Sequence, residues 1–427
     1  MPAHAAPDVY FPIEIVSREF AGHLLMAVEL AARGLNAVIG HKPAVLKVMA
    51  AATRPGILFY KGGAAEGAWR SETEHTQVGL DPEAGIVYRR FEDFFDRRPM
   101  LHDLRSTAAQ FCYGPDDHET FRRRVPELAH RFHLTGSPRV NLWGTAGDDY
   151  YAEDVRQIKE RFGRFVLFAS SGGFVHERYA KAQGLTTDQS WGASDVGRRF
   201  VQVAREVARM DTALNVVIRP HPSDSWNALR ERTADIANIH VQSRLDLSGW
   251  IRASSMVVHP GGSTAALEAV SAGVPALSLG LTANANVATD ISHPAADAAK
   301  VLELHHRCLV GTLPTFPTEE AELLLRRKLL HPNEGAAARI ADVILREVSI
   351  DGPSGLSARS IRKRLKLGKI PWKPTSYDWS ATNSPAYKRP NLELDLIERK
   401  ITSLVPSAGK GPTIRLSEIA ANCIHLG

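Results

Sequence analysis

Residues 214–224, LNVVIRPHPSD, and 254–280, SSMVVHPGGSTAALEAVSAGVPALSLG, decide the fold. The first holds an apolar run, 214–218, that stops at Arg219-Pro220-His221-Pro222. The second holds another, 256–258, that stops at His259-Pro260-Gly261-Gly262-Ser263-Thr264. A helix-like stretch from Ala265 and a third strand over 275–279 follow at once. Strands alternating with helices predict a parallel α/β sheet. Such sheets bind ligands in the crevice beyond the carboxyl ends of their strands. Both His-Pro pairs and the Gly-Gly-Ser-Thr turn fall on that edge.

The turn has a direct chemical reading. Gly261 and Gly262 let the backbone approach a ligand, and Ser263 or Thr264 caps the helix that follows. The helix start offers unpaired N–H groups and partial positive charge, which suit a phosphate. His221 and His259 are candidate donors to the same anion, with Arg219 and Pro222 beside them. Glu268, about one turn into the helix, is a candidate acceptor for sugar hydroxyls. A tight strand-to-helix connection with a surface Glu would have the same sequence. The pairing with a strand-terminal Arg-Pro-His-Pro favours the ligand.

Residues 214–280 resemble the nucleotide-binding half of GT-B glycosyltransferases of bacterial surface-polysaccharide pathways. The His-Pro pair at 221–222 and the Ser-Thr turn at 263–264 are similar to those of capsule Kdo transferases and bacterial polysialyltransferases. The front of the chain, FPIEIVSREFAGHLLMAVELAARGLNAVIG (11–40), resembles the opening of surface carbohydrate biosynthesis proteins, where Pro12, Glu14, Arg18 and Glu19 are typical. LTGSPRVNL (134–142) is similar to their junction between halves, with Ser137 where Asn is usual. The resemblance spans residues 8–350. It implies two Rossmann-like domains facing across a cleft, an activated sugar as donor, and weakly a CMP-linked ulosonic acid. One element departs: where that group carries an Asp-Glu-Glu-Gly-like segment, this chain has Gly62-Gly63-Ala64-Ala65-Glu66-Gly67. Only Glu66 remains of it, so a role as base or acceptor contact falls on Glu66, on Glu14, or on nothing.

The rest of the chain fits this frame. A length of 427 residues exceeds one core. We expect an acceptor domain over 1–139, a nucleotide-sugar domain over 140–350 and a basic extension over 351–427, packed back on the first domain or on a membrane. In the first half, strands are expected at 8–16, 35–39, 56–60 and 110–113, with a helix over 18–33 closed by Gly34. Glu14, Arg18, Glu19 and Lys61 then lie near the cleft. A charge in an apolar strand needs a partner, so Glu14 is either in an ion pair with Arg18 or an acceptor ligand or base. In the second half, the strand at 164–169 runs into Ser170-Ser171-Gly172-Gly173, whose amides suit a phosphate. That loop lacks Gly-x-Gly-x-x-Gly, so no nicotinamide or flavin cofactor is expected.

Composition sets further bounds. No apolar run nears the roughly 20 residues of a bilayer span, and the start lacks the layout of a signal peptide. Cys112, Cys308 and Cys423 have no metal-ligand spacing, so no metal is expected and the thiols read as reduced. Between 359 and 389 lie nine Lys or Arg with Trp372, Tyr377, Trp379 and Tyr387 among them. This suits an anionic membrane surface, or a solvated arm. The net charge of +5 is too mild to favour nucleic acid.

The expected protein is therefore a cytoplasmic glycosyltransferase, peripheral at the inner membrane face, acting in capsule or lipopolysaccharide synthesis. It would pass a sugar from a nucleotide donor to a saccharide or lipid-linked saccharide, with Glu14, Glu19 or Glu66 as base. A sugar-nucleotide epimerase, a polyol-phosphate transferase on the same scaffold, and a non-catalytic nucleotide-binding homologue are the alternatives.

Overall fold

The computed structural model describes residues 8–52, 54–60, 75–82, 85–97, 104–105, 107–171, 195–221, 224, 226–282, 286–348, 392–405, 414–420 and 422–427. Its strands, in chain order, are β1 (Asp8–Ile13), β2 (Asn36–His41), β3 (Ile57–Tyr60), β4 (Thr76–Gly79), β5 (Ala109–Cys112), β6 (Phe132–Leu134), β7 (Phe165–Ala169), β8 (Asn215–Arg219), β9 (Ile239–Val241), β10 (Val257–His259), β11 (Ala276–Ser278), β12 (His293–Pro294), β13 (Leu416–Ala420) and β14 (Cys423–Leu426). They form two sheets, ordered β13-β14-β2-β1-β3-β4-β5-β6 and β12-β11-β10-β7-β8-β9. All pairs among β1 to β12 are parallel. This is the two-sheet α/β architecture of the GT-B fold.

Strand order reverses once in each sheet, between β1 and β3 and between β7 and β10. At such a reversal the connections leave in opposite directions, opening a crevice at the carboxyl ends. Glu14 follows β1. Ser170 follows β7, and Pro260-Gly261-Gly262 follows β10. The topology thus brings the predicted loops to the two crevices.

Burial explains the strands. In β7, Phe165, Leu167 and Ala169 face one core and Val166 and Phe168 the other. Both faces are covered by helices, so the strand reads as one apolar run. The helix Val16–Ala32 buries Phe20, Leu24, Ala27, Val28 and Ala31, a stripe at helical spacing. It ends at Gly34 (φ +83°), where Leu35 N–H returns to Leu30 O at 3.0 Å. β1 stops at Ile13 instead of 16, and that helix begins two residues earlier than expected. β4 and β6 carry no sequence signal: TQVG is polar and four residues long, yet all four are buried between β3 and β5. Tertiary pairing overrides propensity there.

One core runs from the first sheet through Val140, Leu142 and Trp143 into the second. Polar links join the halves as well. Val287 N–H donates to Val87 O at 3.0 Å, Arg89 pairs with Asp290, and buried Lys328 pairs with Asp116 and donates to Arg89 O at 2.8 Å. Near the chain end, β14 adds antiparallel to β2, and the helix Leu394–Leu404 buries Ile397 and Ile401. The basic stretch 359–389 lies outside the described residues. No helix among the described residues is long and apolar enough to cross a membrane.

Candidate functional site

The second crevice is built around the glycine turn. Gly261 and Gly262 have φ of +131° and +65°, which L side chains rarely adopt. They turn β10 into the helix Thr264–Ser271, where Ser263 Oγ caps Ala265 N–H at 3.3 Å. Ser263 O takes Ala266 N–H at 3.1 Å. The first N–H groups of a helix have no intrahelical acceptor. Those of Ser263 and Thr264 find none among the described residues. Gly262 N–H differs: it donates to Asn286 Oδ1 at 3.1 Å, which also caps Thr289 N–H at 2.9 Å. One of the expected phosphate donors is therefore used by the fold.

Across the crevice, β7 is followed by Ser170, which is buried. Its Oγ donates to Asp224 Oδ2 at 2.6 Å, and His221 N–H donates to the same oxygen at 2.8 Å. Asp224 is 1% exposed and ties the end of β7 to the end of β8. Sequence reasoning missed it. His221 and Ser171 remain accessible beside it. Pro222 and Gly172 lie outside the described residues.

Three expected donor contacts are engaged elsewhere. Arg219 is buried and donates to Arg244 O at 2.9 Å and to Leu245 O, with its guanidinium 5.9 Å from the Trp250 ring. It holds backbone around Leu245, which adopts φ +63°. Glu268, 2% exposed, accepts from Ser248 Oγ and from Arg139 Nη2 at 3.3 Å. It thereby fastens the glycine-turn helix to the junction between halves. His259 is fully buried. Burial pushes its pKa down to about 4, so it is neutral at pH 7 and supplies no positive charge to a phosphate.

The first crevice also departs from expectation. Glu14 pairs with Lys42 Nζ at 2.7 Å, not with Arg18. Lys42 also donates to Tyr60 OH at 3.1 Å. Arg18 instead meets Glu19 at 3.1 Å, and Glu19 accepts Glu14 N–H at 2.8 Å. Glu19 is thus a buried brace for the turn after β1. Lys61 and Glu66 fall outside the described residues. Beside Glu19, a cavity of about 20 Å³ is lined by His23, Phe59, Tyr113, Ser137 and Arg139. Burial lowers the His23 pKa to about 4 and raises that of Tyr113 to about 12. Neither was singled out from sequence, where each sits among apolar neighbours.

No protein-family model matches the chain, and no curated protein is significantly similar to it. Solved structures share its fold. One is a protein from Listeria monocytogenes described as a UDP-N-acetylglucosamine 2-epimerase, 15% identical over 83% of this chain and 100% of that one, with a TM-score of 0.51. Another is a variant of the wall teichoic acid polymerase TagF, 11% identical over 85% of this chain and 90% of that one, with a TM-score of 0.52. At such identities the likeness is one of fold.

Proposed function

We propose that the chain is a nucleotide-sugar-dependent glycosyltransferase of surface-glycan synthesis. One observation supports this most: the Gly261-Gly262 turn and its helix start stand at the strand reversal of the second sheet, and the N–H groups of Ser263 and Thr264 have no acceptor among the described residues. Negative charge grows on a leaving phosphate in the transition state, and fixed N–H dipoles stabilise it without reorganising. His221, Ser170, Ser171 and Thr264 complete the donor side. Glu14, anchored by Lys42 at the first reversal, and Glu66 are the proposed bases. The acceptor is a saccharide, free or lipid-linked, and the donor a CMP-linked ulosonic acid. The basic stretch 359–389 is the proposed contact with an anionic membrane surface.

The names of the solved neighbours accord with nucleotide-linked substrates, a UDP-sugar in one case. They also keep epimerisation as a second reading. Thermal melting with CMP, CDP, UDP and GDP tests the site, because a bound ligand raises the melting temperature by mass action. A shift with none of the four would sink the proposal. For the nucleotide that binds, its sugar conjugate is then incubated alone. Isomerised or hydrolysed sugar without acceptor would identify an epimerase instead.

A further inference from the structure

Lys42 is buried where a cation is disfavoured twice. It is the first residue of the helix Lys42–Ala51 and is 9% exposed. A helix start is the positive end of the dipole, and an ammonium taken out of water must be paired. A methionine of similar length would meet neither cost. The ammonium donates to Glu14 Oε1 at 2.7 Å and to Tyr60 OH at 3.1 Å. Lys42, Glu14 and Tyr60 stand at the carboxyl ends of β2, β1 and β3, which are neighbours in the sheet at its strand reversal. Glu14 is the most exposed of the three, its side chain 25% open against 11% for that of Lys42.

Titratable groups reach this turn from three elements: Arg18 and Glu19 on the helix Val16–Ala32, His41 and Lys42 at the end of β2, and Tyr60 at the end of β3. Glu14 N–H donates to Glu19 Oε2 at 2.8 Å, and Arg18 meets Glu19 Oε1 at 3.1 Å. Glu14 thus carries its charge beside a second carboxylate. Like charges at close range drive one of the pair to its protonated form, and an opposite charge prevents it. We propose that Lys42 is a positioning residue for the transfer step: its ammonium holds the Glu14 carboxylate ionised and in place to take the acceptor's proton. The inference rests on the reading of Glu14 as base. In that step the acceptor oxygen bonds to the anomeric carbon of the donor as the bond from that carbon to the phosphate oxygen breaks. The phosphate leaves with the electron pair, the acceptor's proton passes to Glu14, and Lys42 keeps its own protons throughout.

The test uses the full chain as wild type, Lys42→Met, Lys42→Gln, Lys42→Arg and Glu14→Gln. Carbon NMR of protein labelled at its glutamate carboxyls follows the titration of Glu14, whose signal is the one missing from Glu14→Gln. In Lys42→Met that titration should move up by roughly one to three pH units, the scale of a lost opposite charge. Lys42→Gln, which keeps a hydrogen-bond donor without the charge, should do the same and serves if Lys42→Met does not fold. Lys42→Arg should leave it near the wild type. Transfer from CMP-N-acetylneuraminate or UDP-N-acetylglucosamine to a panel of methyl glycosides is then measured against pH. The acid limb should move with the titration, and the alkaline plateau should stay within about three-fold, where a merely structural residue would lower the rate at every pH. An unmoved Glu14 titration in both neutral variants would overturn the role of Lys42 whatever the base is. A moved titration with transfer intact in Glu14→Gln, or with no transfer by the wild type, would bring down the base reading and the proposal with it.

Discussion

Asp224 shows how one side chain can shape a loop of the proposed site. Its Oδ2 accepts from Ser170 Oγ and His221 N–H, and its own N–H returns to His221 O at 2.8 Å. The ends of two neighbouring strands are thereby locked to one carboxylate. Asp224→Ala removes that shared acceptor from a buried position. It should lower unfolding free energy by about 1–3 kcal/mol, and Asp224→Asn, which keeps one acceptor oxygen, should lower it less. Urea denaturation of the three proteins measures this; equal midpoints would show the carboxylate to be idle. At this scale the sequence was a partial guide. The His-Pro-Ser-Asp run was visible, yet His221 drew attention and Asp224 did not. The charged residues chosen for chemistry, Arg219, Glu19 and Glu268, hold backbone or junction, because a buried charge must be paired; the partners of Arg219 and Glu268 are distant in sequence, while those of Glu19 are its near neighbours Arg18 and Glu14.

The strand-turn-helix from Val257 to Ser271 is the element on which the proposed site depends, and its glycines are not equivalent. Gly273 has φ +75° and open space where a Cβ would stand. Gly261 has φ +131° and Thr282 in that space. Gly273→Ala therefore meets left-handed strain alone, about 1 kcal/mol. Gly261→Ala meets strain and a clash, and should cost about 3 kcal/mol. Chemical denaturation that finds the two substitutions equal would mean that Thr282 moves aside freely. The element itself was legible because Gly-Gly-Ser-Thr follows an apolar run and precedes a helical one. Its surroundings were not. Asn286 and Thr282 arrive some twenty residues later, carried in by the pairing of β11, and nothing local marks either. The same holds for β4, whose four residues are strand-like only between β3 and β5.

At the scale of the molecule, the sequence resemblance anticipated two α/β halves, but the devices that fasten them come from pairings no local pattern predicts. Lys400 is an example. It lies on the helix Leu394–Leu404 and reaches the helix Ala146–Phe162, pairing with Asp154 at 3.2 Å with its ammonium 4.4 Å from the Tyr150 ring. Asp154 and Asp246 share this region. Burial raises both carboxyl pKa values, that of Asp246 to about 7, while Lys400 opposes the rise in each. An acid whose pKa is raised by folding stabilises the fold below its unfolded pKa. That stabilisation is lost as pH climbs through the folded value. In Lys400→Met the stem still packs, but both acids lose the opposing charge. Their folded pKa values rise further, and the loss with pH becomes larger. The variant should lie closer to the wild type near pH 4, where Asp246 is protonated in both, than at higher pH. Near pH 8, where Asp154 must ionise without a partner, it should be weaker by about 3 kcal/mol. Thermal melts of both proteins across that window decide the matter. A gap that narrows as pH rises would mean that the helix is held by its apolar face, Ile397 and Ile401, and that Lys400 adds no electrostatic clamp.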